Sequence, residues 1–269
     1  MIPDVNALAA LAATTASDVG AYLLQWRRDH RSVESDTKSG PTDVVTVADR
    51  EAEAMIRRQL LAAYPEAAWW GEESGRHPGT GARSGQDLEW VVDPIDGTVN
   101  FLYDLPGWAV SIAAVWRGDV VAGAVMVPTT STLFTAARGA GSWVDEGGTH
   151  RRLAVSECSE LAQALIATGF AYDAATRVRQ GLVLGRMVGR VRDIRRTGAA
   201  SVDLCAVGAG RVDGYFERGL QPWDLAAGGL IAREAGAVVA ERAGGSVVAS
   251  GPGLTAEFEA LLAEVDAKV

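Results

Sequence analysis

Trp90-Val91-Val92-Asp93-Pro94-Ile95-Asp96-Gly97-Thr98-Val99-Asn100-Phe101 is the stretch that organises this chain. The apolar run Trp90-Val91-Val92 reads as a strand and delivers Asp93 at its carboxyl end. Pro94 has no N–H, so the ladder is expected to stop there. Asp96 then falls in a turn, where Gly97 and Thr98 can offer backbone N–H groups and a hydroxyl to an anion. Two carboxylates on one tight turn beside free amides suit a metal-bound phosphate: acids for the cations, donors for the phosphate oxygens. An Asp-rich turn with a purely structural role fits the same letters, so the stretch needs company before it carries a function.

Downstream of it, Val110 to Trp116, Val120 to Val127 and Leu133 to Ala137 are strand-like, separated by RGD and PTTST turns, which predicts an antiparallel meander. Upstream, residues 4–30 read as a helix: Val5, Leu8, Leu11, Val19, Leu23 and Trp26 recur at helical spacing, and Arg27, Arg28 and His30 suit its negative end. A second helix fits 49–64, with Thr46 and Asp49 resembling a capping box and Pro65 ending it. Thr37 to Pro41 is expected to be a loop, and the glycine-rich Gly75 to Gln86 a mobile one. Beyond residue 155 short apolar runs alternate with helices near 175–189, 200–209 and 222–235, the last closed by Gly236. Mixed elements in this order predict an α/β (α+β) layered sandwich. We divide it into an N-terminal half, 1–150, with the meander and most acids, and a C-terminal half, 151–269, with Asp224, the two forming one unit.

Composition narrows the function classes. The 269 residues are 48% apolar and 22% charged, enough for a large core, which excludes wholesale disorder. Lys+Arg at 25 against Asp+Glu at 34 leaves a net charge of −9, which repels polyanions, so neither nucleic acid nor an anionic membrane is expected as a partner. Cys158 and Cys205 are too few for a disulfide framework. The start Met1-Ile2-Pro3-Asp4 lacks a signal-peptide pattern, and a soluble cytoplasmic protein is expected.

Two further clusters carry acids. Glu72 and Glu73 in Gly71-Glu72-Glu73-Ser74-Gly75 follow Trp69-Trp70, which could hold one carboxylate near apolar surface; solvated glutamates fit equally. In Pro222-Trp223-Asp224 the aspartate sits at the positive end of a helix, where an ordinary cap is also a sufficient reading.

Taken together, these pieces resemble the inositol monophosphatase family of metal-dependent phosphatases, and within it the bacterial inositol-1-monophosphatases. The resemblance runs from Lys38 and Asp43-Val-Val-Thr-Val-Ala-Asp49 through Gly71-Glu-Glu-Ser74 and Asp93-Pro-Ile-Asp-Gly-Thr98. It continues to Gly198-Ala-Ala-Ser-Val-Asp203, Tyr215-Phe-Glu217 and Trp223-Asp224. It implies the αβαβα sandwich of the inositol monophosphatase and fructose-1,6-bisphosphatase superfamily. It implies two or three Mg²⁺ ions per subunit: Glu72, Asp93 and the Ile95 carbonyl on the first, and Asp93, Asp96 and Asp224 on the second. Gly97 and Thr98 would bind phosphate, and Glu72, Thr98 and Asp49 would orient the attacking water. Asp96, Gly198, Ala199, Ala200, Glu217 and Asp224 would meet the alcohol part, with Lys38 on a loop near the metals. A homodimer, lithium sensitivity and a small phosphorylated metabolite as substrate are implied as well. The chain departs from the family in having Ala199 where Ser or Thr is frequent and Ser201 where Ala is usual, which is expected to alter the alcohol contacts. Tyr172 is the one strong polar reader in Thr168-Gly169-Phe170-Ala171-Tyr172.

The residues support this chemistry on their own account. An all-oxygen ligand set suits Mg²⁺, whereas His30, His77 and His150 are scattered without ligand spacing. Asp93 and Asp96 are one residue too far apart for a DxD phosphatase. Cys205 and Arg211 match the bare C-x5-R spacing of cysteine phosphatases, but the neighbouring residues look like an inward helix face. A non-catalytic adaptor would be expected to lose metal acids, and none is lost. Glu217 favours a polyol such as inositol 1-phosphate, since a carboxylate accepts hydrogen bonds from hydroxyls. Because it could equally pair with an amine, histidinol phosphate is the alternative, followed by other small sugar or nucleotide phosphates.

Overall fold

The computed structural model describes residues 3–30, 35–37, 44–80, 87–242 and 244–267, and Lys38 and Asp43 lie outside them. Helix α1 (Val5–Asp29) starts at Asp4, whose Oδ1 accepts the Asn6 and Ala7 amides. A two-stranded ribbon of β1 (Ser35–Thr37) and β2 (Val44–Thr46) follows, so Thr37 ends a strand rather than opening a loop. Helix α2 (Val47–Ala63) has the expected capping box: Asp49 N–H donates to Thr46 Oγ1 and Thr46 N–H to Asp49 Oδ2.

The first sheet has eight strands: β3 (Ala68–Gly71), β4 (Gly75–His77), β5 (Leu88–Asp96), β6 (Ala109–Trp116), β7 (Asp119–Val127), β8 (Thr132–Ala137), β9 (Gly141–Glu146) and β10 (Thr149–Arg152). Its antiparallel meander is the predicted one, extended by β9 and β10. Strand β3 pairs with β5 in parallel. Gly75–His77, expected to be loop, pairs instead with β3, and 81–86 lie outside the described residues.

Strand β5 also corrects the reading of Pro94. The ladder does not end there but slips: Asp93 opposes Ser111 and Asp96 opposes Ala109, three steps on β5 against two on β6. The extra residue is a bulge, which accommodates the missing N–H. Asp96 is therefore the last residue of a strand, and α3 (Thr98–Leu102) begins directly after Gly97. In a regular strand, residues three apart point to opposite faces. The bulge resets that alternation and brings both aspartates to one side.

The second sheet has five strands, β11 (Leu165–Thr168), β12 (Asp193–Arg195), β13 (Gly214–Arg218), β14 (Val238–Arg242) and β15 (Ser246–Ser250), in the order 12-11-13-15-14. Its helices are α4 (Ala174–Met187), α5 (Ala200–Gly208), α6 (Pro222–Glu234) and α7 (Pro252–Asp266).

Layering follows from which faces are apolar. Helix α1 is long and apolar enough to cross a membrane by length and composition. Its stripe of Leu8, Ala12, Val19 and Leu23 is instead fully buried, and the helix packs on β6, β7 and β8. Each Leu or Val buried this way stabilises the fold by about 1.5–3 kcal/mol. Helix α6 lies between the two sheets beside α5, and α4 and α7 cover the far face of the second. The order is α1α2, first sheet, α5α6, second sheet, α4α7, the expected αβαβα sandwich. Helix α6 is buried all round over the turn Ala226-Ala227-Gly228-Gly229. A Cβ on Gly228 would lie 2.9 Å from Leu204 Cβ, and one on Gly123 of β7 3.1 Å from Ala227 Cα. Small residues thus let three layers close on one central helix.

Candidate active site

Strands β3 and β5 run in parallel, and their carboxyl ends place two acids side by side. Glu72 follows the last residue of β3 and donates its N–H to the Val92 carbonyl at 3.1 Å, one residue before Asp93. Ligand sites in α/β sheets collect at such carboxyl ends. Asp93 Oδ1 accepts the Ile95 amide at 3.0 Å, a bond within the bulge that turns its carboxylate inward. Asp96 Oδ2 takes two hydrogen bonds from α5, from Ser201 N at 2.7 Å and Ser201 Oγ at 2.5 Å. At the start of α6, Asp224 Oδ2 accepts the Gln221 amide at 2.7 Å, so the capping role expected of it is real. It coexists with a second: Asp93, Asp96 and Asp224 each offer one oxygen, and these lie within 4.8 Å of one another.

Such proximity is costly without a cation. Burial pushes the Asp93 carboxyl well above its ordinary range, and repulsion from Glu72, Asp96 and Asp224 adds to it; Asp93 also shares a hydrogen bond with Glu72. Burial likewise raises Asp224, with Asp96 the largest repulsive neighbour. Asp96 rises only to about 6, because the Ser201 hydrogen bonds favour its charged form. Acids pushed together in a buried cleft mark a functional site. The donor set is all oxygen, and none of the three histidines lines the cavity. The residues fit one or more hard divalent cations.

A cavity of about 580 Å³ gathers the residues the sequence pointed to. Glu72, Asp93, Ile95, Asp96, Gly97, Thr98 and Asp224 line one end; Gly198, Ala199, Ala200 and Glu217 line the other, with Gly169, Phe170, Ala171 and Tyr172. Asp49 is brought close but stands behind the wall. It is fully buried, and Thr98 Oγ1 donates to its Oδ1 at 3.4 Å while Thr46 N–H and Oγ1 hold its Oδ2. Lys38 lies outside the described residues. Gly97 sits at φ 90, where a Cβ would approach Gly198 O and Ala199 Cβ at 3.2 Å, so glycine suits both the backbone and the space.

Arg196 and Glu53 escaped the sequence reading, and Ser201 and Asp203 entered it without the surroundings the structure gives them. Ser201 was expected to alter alcohol contacts and instead anchors Asp96. Arg196 and Asp203 line the cavity together with Glu217. Asp203 is buried, its Oδ1 has no hydrogen-bond partner, and burial lifts its carboxyl to about 8. Glu53 is the fourth: only 4% exposed, it accepts the Glu73 and Ser74 amides. The signal for Glu53 was present, since it follows Asp49 by one helical turn. Glu217 is held by Tyr215, whose hydroxyl donates to Oε2 at 2.7 Å; burial raises the Glu217 carboxyl to about 7 despite that bond. The thiolate reading fails, because Cys205 is fully buried, its thiol is pushed far up, and Arg211 is bonded to Glu146.

Comparison with known proteins agrees with the geometry. A family model, that of the inositol monophosphatase family, matches residues 4–268. The "Inositol-1-monophosphatase SuhB" of Mycobacterium tuberculosis is 47% identical over 232 residues, covering 84% of this chain and 80% of that protein. A protein of Vibrio cholerae named "Nus factor SuhB" is 39% identical over 250 residues, covering 90% of each. Among solved structures, Mycobacterium tuberculosis SuhB superposes with a TM-score of 0.86 at 38% identity, over 98% of this chain and 99% of that one.

Proposed function

The chain belongs to the inositol monophosphatase family, and from that membership we propose that it is a Mg²⁺-dependent phosphomonoesterase acting on inositol 1-phosphate or a similar polyol phosphate. The observation that carries the proposal is the convergence of Asp93, Asp96 and Asp224 within 4.8 Å, beside Glu72, in a cavity large enough for a cyclitol phosphate.

Asp93, at the centre of the cluster, is the residue suited to bridge two sites, with Glu72 and the Ile95 carbonyl on one side and Asp96 and Asp224 on the other. Cations held there would neutralise the phosphate, activate a water and stabilise the leaving alkoxide. The chain's own groups supply the rest. Thr98 directs its hydroxyl hydrogen towards Asp49 Oδ1 and the Ile95 carbonyl. Its oxygen lone pairs are then left to accept a hydrogen bond from the attacking water, which Glu72 flanks. First-turn amides of a helix have no intrahelical acceptor, and those of Gly97 and Thr98 are assigned to the phosphate oxygens. Glu217, oriented by Tyr215, accepts hydroxyl hydrogens of the alcohol, and Arg196 and Asp203 complete that end.

An amine-bearing alcohol such as histidinol phosphate is the second reading, favoured by two carboxyl groups, Glu217 and Asp203, at the alcohol end. A non-catalytic role, which the name of the Vibrio cholerae relative raises, is opposed by the retention of every metal acid. We further assign a cytoplasmic homodimer with lithium-sensitive turnover; two free cysteines and the charge of −9 suit a reducing compartment without polyanionic partners.

Phosphate release from inositol 1-phosphate, histidinol phosphate, fructose 1,6-bisphosphate and 3′-phosphoadenosine 5′-phosphate, each with Mg²⁺ and with EDTA, tests the proposal. Mg²⁺-dependent turnover led by inositol 1-phosphate is expected. Turnover led by another substrate overturns the role of Glu217, and undiminished release in EDTA overturns the metal chemistry.

A further inference from the structure

Glu72 sits on a turn, Gly71-Glu72-Glu73-Ser74, that links β3 to β4, and short turns are not rigid on their own. What holds this one comes from α2. The Glu53 carboxylate reaches beneath it, with Oε2 accepting the Glu73 amide at 2.7 Å and Oε1 the Ser74 amide at 3.0 Å. Glu53 is 4% exposed, and among the described residues no cation pairs with it. A buried carboxylate without a counter-ion is expensive unless backbone donors stabilise it. Here two consecutive N–H groups do so.

The fit is exclusive in two respects. A Cβ on Gly71 would lie 2.5 Å from Glu53 Oε2, 2.6 Å from Cδ and 2.7 Å from Oε1, so the carboxylate occupies the space a side chain at 71 would need. The chemistry also demands an acid: an ionised carboxylate accepts through both oxygens, whereas glutamine would turn an NH₂ towards one of the two backbone N–H groups. Glu53 and Asp49 stand four residues apart on one face of α2. A single helix therefore backs both Thr98 and the Glu72 turn.

We propose that Glu53 is a positioning residue for divalent-cation binding, fixing the 71–74 turn so that Glu72 lies against Asp93. The inference rests on the reading of these acids as a metal site. It predicts that loss of Glu53 acts on cation affinity and leaves the alcohol end untouched.

The test is calorimetric titration of Mg²⁺ and Mn²⁺ into the full chain without substrate, for the wild type and for Glu53→Gln, Glu53→Asp and Gly71→Ala. Thermal melts without metal and steady-state kinetics across a Mg²⁺ series accompany it. Glu53→Gln is expected to weaken cation binding about tenfold, with KM for inositol 1-phosphate at saturating Mg²⁺ within about twofold, in the range seen for residues that orient metal ligands. Glu53→Asp keeps the charge but is too short to reach both amides, so it should weaken binding similarly. Gly71→Ala meets the carboxylate end of the Glu53 side chain first, is expected to fold with that end displaced, and should reproduce the loss from the other side of the contact. The double variant Glu53→Gln with Gly71→Ala should be no worse than the weaker-binding single variant, because both remove one interaction. Unchanged cation affinity in a folded Glu53→Gln, or strictly additive losses in the double variant, overturns the inference. If Glu53→Gln does not fold, Glu53→Asp and Gly71→Ala decide by the same affinity criterion. A wild-type chain that binds neither cation overturns instead the metal reading on which the inference stands.

Discussion

The two ends of the cavity are built differently. At the end where the acids cluster, three of the four are fixed by a specific donor: Asp93 by the Ile95 amide, Asp96 by Ser201, Asp224 by the Gln221 amide. At the alcohol end the wall is largely Gly169, Phe170, Ala171, Gly198 and Ala199, and Tyr172 is 45% exposed. Glu217 has a comparable anchor there, from Tyr215. Anchoring is concentrated around the clustered carboxylates, while the opposite end, apart from Glu217, Arg196 and Asp203, is walled mostly by small or apolar residues. On the proposed function, the reaction type would rest on a few rigid contacts and substrate identity on shape.

That contrast can be broken most severely at Asp93. Asp93→Asn should lower phosphate release on the order of a thousandfold, as expected when metal-assisted chemistry loses its central ligand. The melting temperature should stay level or rise, because a repelled buried charge is removed; near-normal turnover would take Asp93 out of the site. A smaller effect is expected at the opposite end. A Cβ on Gly169 would lie 2.0 Å from Glu217 Oε2, so Gly169→Ala must displace Glu217. KM for inositol 1-phosphate should rise about tenfold, the equivalent of about 1.4 kcal/mol. Turnover of p-nitrophenyl phosphate, which has no hydroxyls to read, should change little; equal losses on both substrates would erase the distinction between the ends.

Asp203 sharpens the comparison through pH. Its carboxyl titrates at about 8 in the fold against an ordinary value near 3.8, so the native protein holds a proton the unfolded chain has released. That contribution to stability is complete below about pH 4 and is lost as pH climbs towards 8. Asn mimics the protonated acid without a charge to lose. Asp203→Asn should therefore raise the melting temperature by several degrees at pH 8, with the gap closing towards pH 4. A gap that is constant across pH would disprove the burial cause. The smallest effect belongs to Ser201. Ser201→Ala removes one hydrogen bond to Asp96 but keeps the backbone one, and should raise the Mg²⁺ concentration for half-maximal activity about threefold, as for a bond of modest net worth. An unchanged Mg²⁺ requirement with altered substrate preference would return Ser201 to the alcohol end.

Much of this was legible in the letters, for definite reasons. Helices α1 and α2 and the meander are amphipathic or strongly apolar and carry caps or turns. The clustered acids are legible because they sit in compact motifs. Strand β10 is not, since Thr149, His150, Arg151 and Arg152 are all exposed on a sheet edge and leave no apolar trace. The bulge in β5 is hidden because Pro94 gives the same signal for a strand that stops and a strand that slips. Helix α7 did carry a readable stripe, Leu254, Phe258, Leu261, Leu262 and Val265, yet it lies beyond the last helix expected from sequence. Ser201 and Glu53 act across 105 and 20 residues of chain, distances no local pattern records.

The Ala226-Ala227-Gly228-Gly229 turn of α6 is pressed between two layers, and Asp224 stands two residues before it. A larger side chain in that turn would separate the layers before it could merely shift Asp224. Damage there is therefore filtered by proteostasis rather than by metabolism: a descendant chain with a bulky residue at 228 is lost as an insoluble or degraded protein, and a slow but folded enzyme never comes before selection.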